Sequence, residues 1–533
     1  MKYLINRREG ILEVEKKIVS GSAFILTSRI VNGVSLVIFS ITMAWFLGKD
    51  TYGLISIAVG FIGIFAILGD LGLNIAGVRF ISMYFVGKKY EDIRTIINTS
   101  FIIKLILGSI LALISYIGSD AIADFFQKDV APLFKIVALI VVCNLLSSVF
   151  QSVMKGLQRM DLFAMSNIFR DISWIVISIG LVHPNIYGWG VVGALWGYLI
   201  SALLWLCLCA GIFFIPLRRN ILYTQKKKKQ LTKSISNKLL VFGMPILIMD
   251  ITILLYNWID TFVLAYFRPT AEVSYYNIAF GLVNFVMIII ASVSTTLFPV
   301  FSGEHALKKE KSQKRIYEKV VKFIIIIIYP FLTFLIFLAP YIVLIYGSQY
   351  LPALTPLYIL VLWGFFRPVG NIGSGLLTAK GRQKLVMKIT VSTAVLNFCL
   401  NILLIPRYHM LGAALATTTA FIFGSLAVYI ILNKDYDIIL KAKDITKALL
   451  AAFVSSAVGL GVYLLIDKIP ITTTNLIDLL FLILKLLISF LIASIVYLVL
   501  LKLIKIFSRE ELGLLEKLTK EYRIIRPIYN LIK

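Results

Sequence analysis

The sequence predicts an all-α polytopic membrane protein with fourteen transmembrane helices. Three observations predict it. Hydrophobic residues make up 59% of the 533, and the mean hydropathy is +0.92, outside the range of a soluble domain. Apolar runs recur along the chain, each close to the roughly 20 residues that a bilayer crossing needs. The connections between them alternate in charge. Segments 1–18, 79–95, 155–161, 218–238, 303–322, 379–388, 433–447 and 502–533 hold 42 of the 53 Lys and Arg, whereas the intervening connections hold only Lys49, Lys128, Arg268, Arg407 and Lys468. Cytoplasmic loops carry the Lys/Arg excess, so both termini are expected inside, in the cytoplasmic (plasma) membrane. The same bias accounts for the net charge of +26 without nucleic acid as a partner, and membrane lipids are the expected surroundings.

The elements follow in order. A basic segment, 1–19, precedes span 1 (20–47), which carries Arg29. Span 2 (53–78) carries Asp70, span 3 (96–117) Lys104, and span 4 (131–154) follows an outer loop at 118–130. Span 5 (162–182) carries Arg170 and Asp171, and span 6 (190–215) leads to the basic linker 218–238 with Lys226-Lys-Lys-Lys229. Span 7 (239–264) holds Pro245, Asp250 and Asp260; span 8 is 274–301, span 9 is 323–345 with Pro330, and span 10 (354–378) holds Arg367. Span 11 (387–405) has Asn397 and Asn401 on one face, followed by spans 12 (411–432), 13 (448–466) and 14 (478–501). Ser508 and Glu511 form a capping-box signature, with Leu512, Leu515 and Leu518 at helical spacing, so 506–533 reads as an amphipathic helix on the inner membrane surface.

Charges at membrane depth are the functional signal. A Lys or Arg at the bilayer centre costs about 2.5–3.5 kcal/mol, so four of them facing lipid would cost on the order of 10 kcal/mol. Counting ~1.5 Å per residue places Arg29, Lys104, Arg170 and Arg367 near mid-depth. They are expected to face a polar cavity or partners. Lys135 and Lys485 lie nearer the outer boundary and are expected to snorkel. Asp70, Asp171 and Asp250 are the deep carboxylates and Asp260 lies further out; they are available for ion coupling, to Na+ or H+, or for structural pairing. Arg170 and Asp171 diverge by ~100° on a helix and are not expected to neutralise each other. A net basic cavity suits an anionic substrate.

The two sides of the linker resemble each other. Ala44-Trp-Phe-Leu-Gly48 with Ile57-Ala58 and Gly60 lies over Ala265-Tyr-Phe-Arg-Pro269 with Ile278-Ala279 and Gly281, and Val192-Gly-Ala-Leu195 over Leu411-Gly-Ala-Ala414, at offsets of 221 and 219. Internal repeats are a common way to build a transporter with its site between the halves. The expected division is 20–217, 218–238, 239–435 and 436–505, flanked by 1–19 and 506–533.

Enzyme chemistry finds little footing. His183, His305 and His409 are the three histidines and fall in loops, and no Walker A, Gly-x-Ser-x-Gly or metal-binding His pattern occurs. The four cysteines, all in apolar segments, suggest neither a disulfide frame nor a metal site. The reading is a transporter with no catalytic residue, metal or cofactor.

Several motifs together resemble the polysaccharide-biosynthesis (O-antigen type) flippases of the multidrug/oligosaccharidyl-lipid/polysaccharide exporter superfamily. They are Trp45-Phe-Leu-Gly48-x-x-x-Tyr52-Gly53, Asp70-Leu-Gly-Leu73 with Arg79, Phe242-Gly-Met-Pro245, Tyr275-Tyr276-x-x-Ala279, Pro299-x-x-Ser302, Tyr346-Gly-Ser-Gln-Tyr350, Ala379-Lys-Gly-Arg382 and Asn397-x-x-x-Asn401-x-x-x-Ile405-Pro406, running in order over about 20–435. The resemblance implies two pseudo-symmetric six-helix lobes around a central cavity plus two C-terminal helices. It implies outward movement of a polyprenyl-phosphate- or pyrophosphate-linked oligosaccharide by alternating access, beside polysaccharide synthesis enzymes. It also implies that cavity cations hold the anionic head: Arg29 by position, with Lys104, Arg170 and Arg367 following from their depth. Lipid-linked peptidoglycan precursor flippases, also of fourteen spans, and cation-coupled multidrug exporters, usually of twelve, are the alternatives.

Overall fold

The structure, a computed structural model, describes residues 2–214, 229–307, 309–467, 476–508 and 511–513. Every regular element among the described residues is helical. Among the described residues, eleven helices are long and apolar enough to cross a membrane, or twelve if the pair Asn237–Thr252 and Asn257–Phe267, bent by 51°, is one span. The chain forms two compact units, Met1–Ser274 and Tyr275–Lys533.

The first unit contains α1 (Lys2–Asp70), α2 (Leu73–Val86), α3 (Tyr90–Ile117), α4 (Ser119–Phe126), α5 (Ala131–Gly156), α6 (Met160–Val182), α7 (Gly190–Ile212) and α8 (Lys229–Phe267). A straight helix as long as α1 would measure ~100 Å, over three times the ~30 Å hydrocarbon core. Gly48 interrupts it with φ 76° and ψ 173°, a conformation glycine adopts without steric cost. The chain turns again after Asp70, where Leu71 (φ 49°) and Gly72 (φ 71°) are left-handed. Here α8 comes close: a Cβ on Gly72 would collide with the Gly243 carbonyl, and one on Gly243 with the Leu71 carbonyl. Two backbones therefore touch at this turn, which fixes Asp70 beside α8.

Around this crossing α3 packs on α5, α6 on α1 and α7, α5 on α7, and α8 on α1 and α2. Ile93, Ile97, Phe150, Val153 and Trp205 are part of one apolar core. The outer connection expected as a plain loop at 118–130 instead holds α4. Asp120 lies in its first turn, favourable at the positive end of the helix dipole, and its Phe126 is buried. Of the expected linker 218–238, residues 229–238 are helical and begin α8; the rest of it, and most of the tail 506–533, lie outside the described residues.

The second unit continues α9 (Thr270–Ala306) and contains α10 (Glu310–Phe337), α11 (Ala339–Leu344), a 3-10 turn at Ser348–Ala353, α12 (Leu354–Ala379), α13 (Gln383–Tyr436), α14 (Ala442–Ile466) and α15 (Leu476–Leu503). α12 packs on α13, α10 on α12 and α14, and α14 on α15. The 54-residue α13 passes Pro406 and breaks at His409, whose φ of 59° is uncommon for a residue with a side chain. Polar groups join the apolar helices: Thr333 and Ser456 hydroxyls lie 2.8 Å apart, and the Tyr497 hydroxyl donates to the Ile326 carbonyl at 2.9 Å. Lys135 is exposed. Lys485 instead pairs with Asp467 at 2.8 Å.

Candidate functional site

The deepest cation of the first unit is fully engaged. Lys104, on α3, is 1% exposed, and its ammonium lies 2.6 Å from Asp70 Oδ1, where α1 ends. It also donates to Asn74 Oδ1 and Ser148 Oγ, both at 2.7 Å. One ion pair and two hydrogen bonds thus engage the ammonium. Asp70 Oδ2 accepts from the Asn74 N–H at 3.3 Å, so the carboxylate also serves the open first turn of α2. Ser152 Oγ donates to Asn74 Oδ1 at 2.9 Å. A buried charge so saturated acts as a brace between α1, α2, α3 and α5.

Arg170 and Asp171 correct an expectation. Although neighbours on α6, they pair: Arg170 Nε and Nη2 both reach Asp171 Oδ1, at 3.0 and 2.7 Å. The angle between Cα–Cβ bonds misled because the long arginine side chain spans the divergence. Asp171, 1% exposed, also accepts from Asn32 Nδ2 of α1 at 3.0 Å, while Arg170, 30% exposed, lies 4.9 Å from the Trp205 ring centre. The pair is asymmetric. The carboxylate is buried against α1, and the guanidinium is presented outward with its Nη1 edge unused among the described residues.

Arg29 stands three residues before Asn32 on α1 and therefore shares the face that meets α6. It is exposed, and no ion pair engages it among the described residues. Lys155, half-buried at the end of α5, packs 4.1 Å from the Phe163 ring centre and lies within electrostatic reach of Arg29 and Asp70. Beside it, Gln151 Nε2 donates to Asn167 Oδ1 at 2.8 Å. Asp250, half-buried on α8, is within electrostatic reach of Asp70, and Asp260 is buried. The first unit thus brings Arg29, Lys155 and Arg170 toward one polar face. Two of its carboxylates, Asp70 and Asp171, are committed to Lys104 and Arg170. Such a face can hold a phosphate through charge-assisted hydrogen bonds.

Lys155 and Asn32 escaped the sequence reading. The signal was present: Ser148, Gln151, Ser152 and Lys155 form a polar stripe at i, i+3, i+4 and i+7 on an otherwise apolar helix. Lys155 also opens the basic connection 155–161 and so reads as loop charge in the sequence.

In the second unit, the Arg367 guanidinium lies 5.7 Å from the Trp363 ring centre and 5.6 Å from that of Phe421, a cation–π setting. Nearby, Tyr329 and Tyr317 donate to the Phe365 and Val369 carbonyls at 3.2 and 3.1 Å, close to Pro368. Asn401 donates to Asn397, Asn397 to Thr417, and the Thr417 and Tyr276 hydroxyls lie 3.0 Å apart, tying α9 to α13. Among the described residues, no group of three or more His, Cys, Asp or Glu is placed to hold a metal ion.

Comparison with known proteins agrees with this architecture. The family model described as polysaccharide biosynthesis protein matches residues 18–305, and the MatE model matches 245–403. A membrane protein of Methanocaldococcus jannaschii is 23% identical over 489 residues, covering 85% of this chain and 96% of its own. A protein of Haloferax volcanii named a probable low-salt glycan biosynthesis flippase is 26% identical over 392 residues, covering 73% and 77%. A solved lipid II flippase MurJ, in an inward closed conformation, superimposes with a TM-score of 0.65 at 18% identity, covering 90% of this chain and 98% of that one.

Proposed function

Since this chain belongs to the family of polysaccharide biosynthesis proteins, we propose that it is a flippase for a lipid-linked oligosaccharide. It moves a polyprenyl-phosphate- or pyrophosphate-linked glycan from the inner to the outer leaflet of the cytoplasmic membrane. The observation that supports this reading is the cationic face of the first unit, where Arg29 lies within electrostatic reach of Lys155 and Asp70 is already paired with Lys104. The Haloferax volcanii relative, named a glycan biosynthesis flippase, supports the substrate class.

The proposed topology has fourteen crossings, with α1 and α13 each counted as two at Gly48 and His409, and both termini in the cytoplasm. Spans 1–6 and 7–12 form two lobes around a central cavity, and spans 13 and 14 are added. The physical problem has two sides. Each unpaired sugar hydroxyl costs several kcal/mol in hydrocarbon, and the tail cannot leave it at ~0.8 kcal/mol per CH₂. A cavity open sideways to lipid meets both demands. Arg29, Lys155 and the outer edge of Arg170 meet the phosphates, with Arg367 as a contact in the second half. Lys104, its donors occupied, positions α3 instead. The lobes then rock outward. An inside-negative potential favours outward movement of an anion by about 2.3 kcal/mol per charge per 100 mV. Counter-movement of Na+ or H+ through Asp70 or Asp250 is the competing drive.

The test is reconstitution of purified protein with a fluorescent polyprenyl-pyrophosphate oligosaccharide, wild type beside Arg29→Ala. Outward movement by wild type and its loss in the folded variant support both function and site. Movement that survives the substitution removes Arg29 from the site. A folded wild type that moves neither this lipid nor a peptidoglycan precursor, yet exports organic cations, overturns the reading. Imposing a potential or an ion gradient on the same vesicles separates the two drives.

A further inference from the structure

Exposed aromatic rings gather at one end of the first unit. Phe125, near the end of α4, is 61% exposed, and Tyr266 and Phe267, which close α8, are exposed as well. The ring centres of Phe125 and Tyr266 lie 4.9 Å apart, as do those of Tyr266 and Phe267, so the rings form one continuous patch. α4 is fixed from within. Its Phe126 is buried and meets Phe61 edge-on at 6.0 Å, and Phe61 meets Phe134 of α5 at 4.8 Å and Phe262 of α8 at 5.0 Å. Gln127, at a φ of 53°, then turns the chain, and the Lys128 N–H donates to the Ala123 carbonyl at 3.1 Å.

Short as it is, α4 has three distinct sides. Ser119 and Phe126 are buried against its neighbours. Asp120 and Asp124, one turn apart, make an exposed acidic side. Ala121 and Phe125, also one turn apart, make an exposed apolar side, turned from the acids by about 100°. The helix carries no basic residue, so it has nothing to pair with an anionic headgroup. Its depth follows from α3. From Lys104, near mid-membrane by residue count, to its end at Ile117, α3 rises ~20 Å, whereas half the hydrocarbon core is ~15 Å. α4 begins directly afterwards, at Ser119, and so lies at the level of the headgroups. Aromatic rings collect at that level because the boundary is apolar on one side and wet on the other.

We infer that α4 is an in-plane helix seated in the boundary between lipid headgroups and acyl chains. Phe125 enters that boundary together with Tyr266 and Phe267, and Asp120 and Asp124 turn to water. The partner is the lipid boundary itself, engaged through rings rather than charge. In the orientation proposed above it belongs to the outer leaflet. Because the same rings join α4 to α8, the seat also holds that end of α8 at a fixed depth. The patch shares no residue with the cationic face of the first unit and does not require that the protein move glycan lipids.

The experiment is spin labelling of the full chain in phosphatidylcholine bilayer discs, with the exposed Cys207 and Cys399 changed to Ser. Asp120→Cys, Ala121→Cys, Asp124→Cys and Phe125→Cys are labelled one at a time, and power saturation with oxygen and with a water-soluble nickel chelate reads the depth of each. Labels at 121 and 125 are expected about 5–10 Å below the phosphates, and labels at 120 and 124 above them. Phosphatidylglycerol or added salt is expected to leave these depths unchanged, because no charge pairing is there to be screened. If Phe125→Cys does not fold, Ala121→Cys on the same side reads the same depth. All labels at one level, whether in water or in hydrocarbon, overturn the inference. Labels at 121 and 125 closed to both reagents overturn it in favour of a protein contact. Depths that shift with phosphatidylglycerol or salt overturn the seat made of rings. Depth is read without transport, so failure of the flippase reading leaves this result intact.

Discussion

Replacing Lys104 with methionine tests whether the deepest cation braces the helices or holds substrate. The ammonium is 1% exposed and its partner carboxylate 12% exposed, at 2.6 Å. Breaking a buried pair by removing one partner costs about 3–5 kcal/mol, because the remaining charge is left uncompensated. Asn74 and Ser148 each lose a charged donor as well, a change of about 1.5–3 kcal/mol per bond that partly overlaps the first. Lys104→Met is therefore expected to destabilise the protein by at least ~3 kcal/mol. Asp70→Asn in the same chain should restore much of the loss, since both charges are then gone. The assay is denaturant unfolding of the purified protein in one detergent, for wild type, both single variants and the double variant, analysed as a cycle. Two results refute the brace: a single variant within ~1 kcal/mol of wild type, or a double variant less stable than either single. A stable Lys104→Met that no longer moves glycan lipid returns Lys104 to the substrate site.

Other outcomes follow from the same structure. Arg29→Ala and Lys155→Ala should each weaken binding of a polyprenyl pyrophosphate by roughly 10- to 100-fold, the worth of a charged hydrogen bond, with thermal stability near wild type; titration of the labelled carrier lipid measures it. Gly72→Ala combines a left-handed backbone with a collision at Gly243 and should destabilise by more than the ~1 kcal/mol that handedness alone costs, measurable as a lower unfolding midpoint. Burial pushes Glu511 up, but bonds from the Ser508 N–H and Lys322 outweigh it and hold the carboxyl below its ordinary range. Its stabilisation is therefore complete above the unfolded value of about 4.3 and lost as pH falls through the lower folded value. Hydrogen exchange at the Ser508 amide should accelerate in that acid window in wild type, and Glu511→Gln should flatten the dependence.

Loop charge made the helical membrane architecture legible, because topology writes it residue by residue. Gly48 was legible as a boundary, since a glycine stands between two apolar runs. The break at His409 was less so: Pro406 announces a disturbance, but nothing in a histidine foretells a positive φ. The deep cations were found by cost, and cost says only that each needs a solution. It cannot say which one. Lys104 solves it with Asp70, Arg170 with its own neighbour, and Arg367 with aromatic rings, three answers decided by helix packing that the sequence does not spell out. Lys155 is hard to read for a different reason: the last position of a polar stripe on α5 also opens the basic connection 155–161.

The clasp at Lys322 bears on how the chain is made. One ammonium gathers oxygens from Ile506, Asp444 and Glu511, and Glu511 is 189 residues downstream. A ribosome adding about 5–20 residues per second needs roughly 10–40 s to supply that last partner. For that interval α10 is already synthesised while its N-terminal half still awaits the carboxylate that completes the clasp. The contact of α14 with this ammonium is thus completed only after residue 511 has been made.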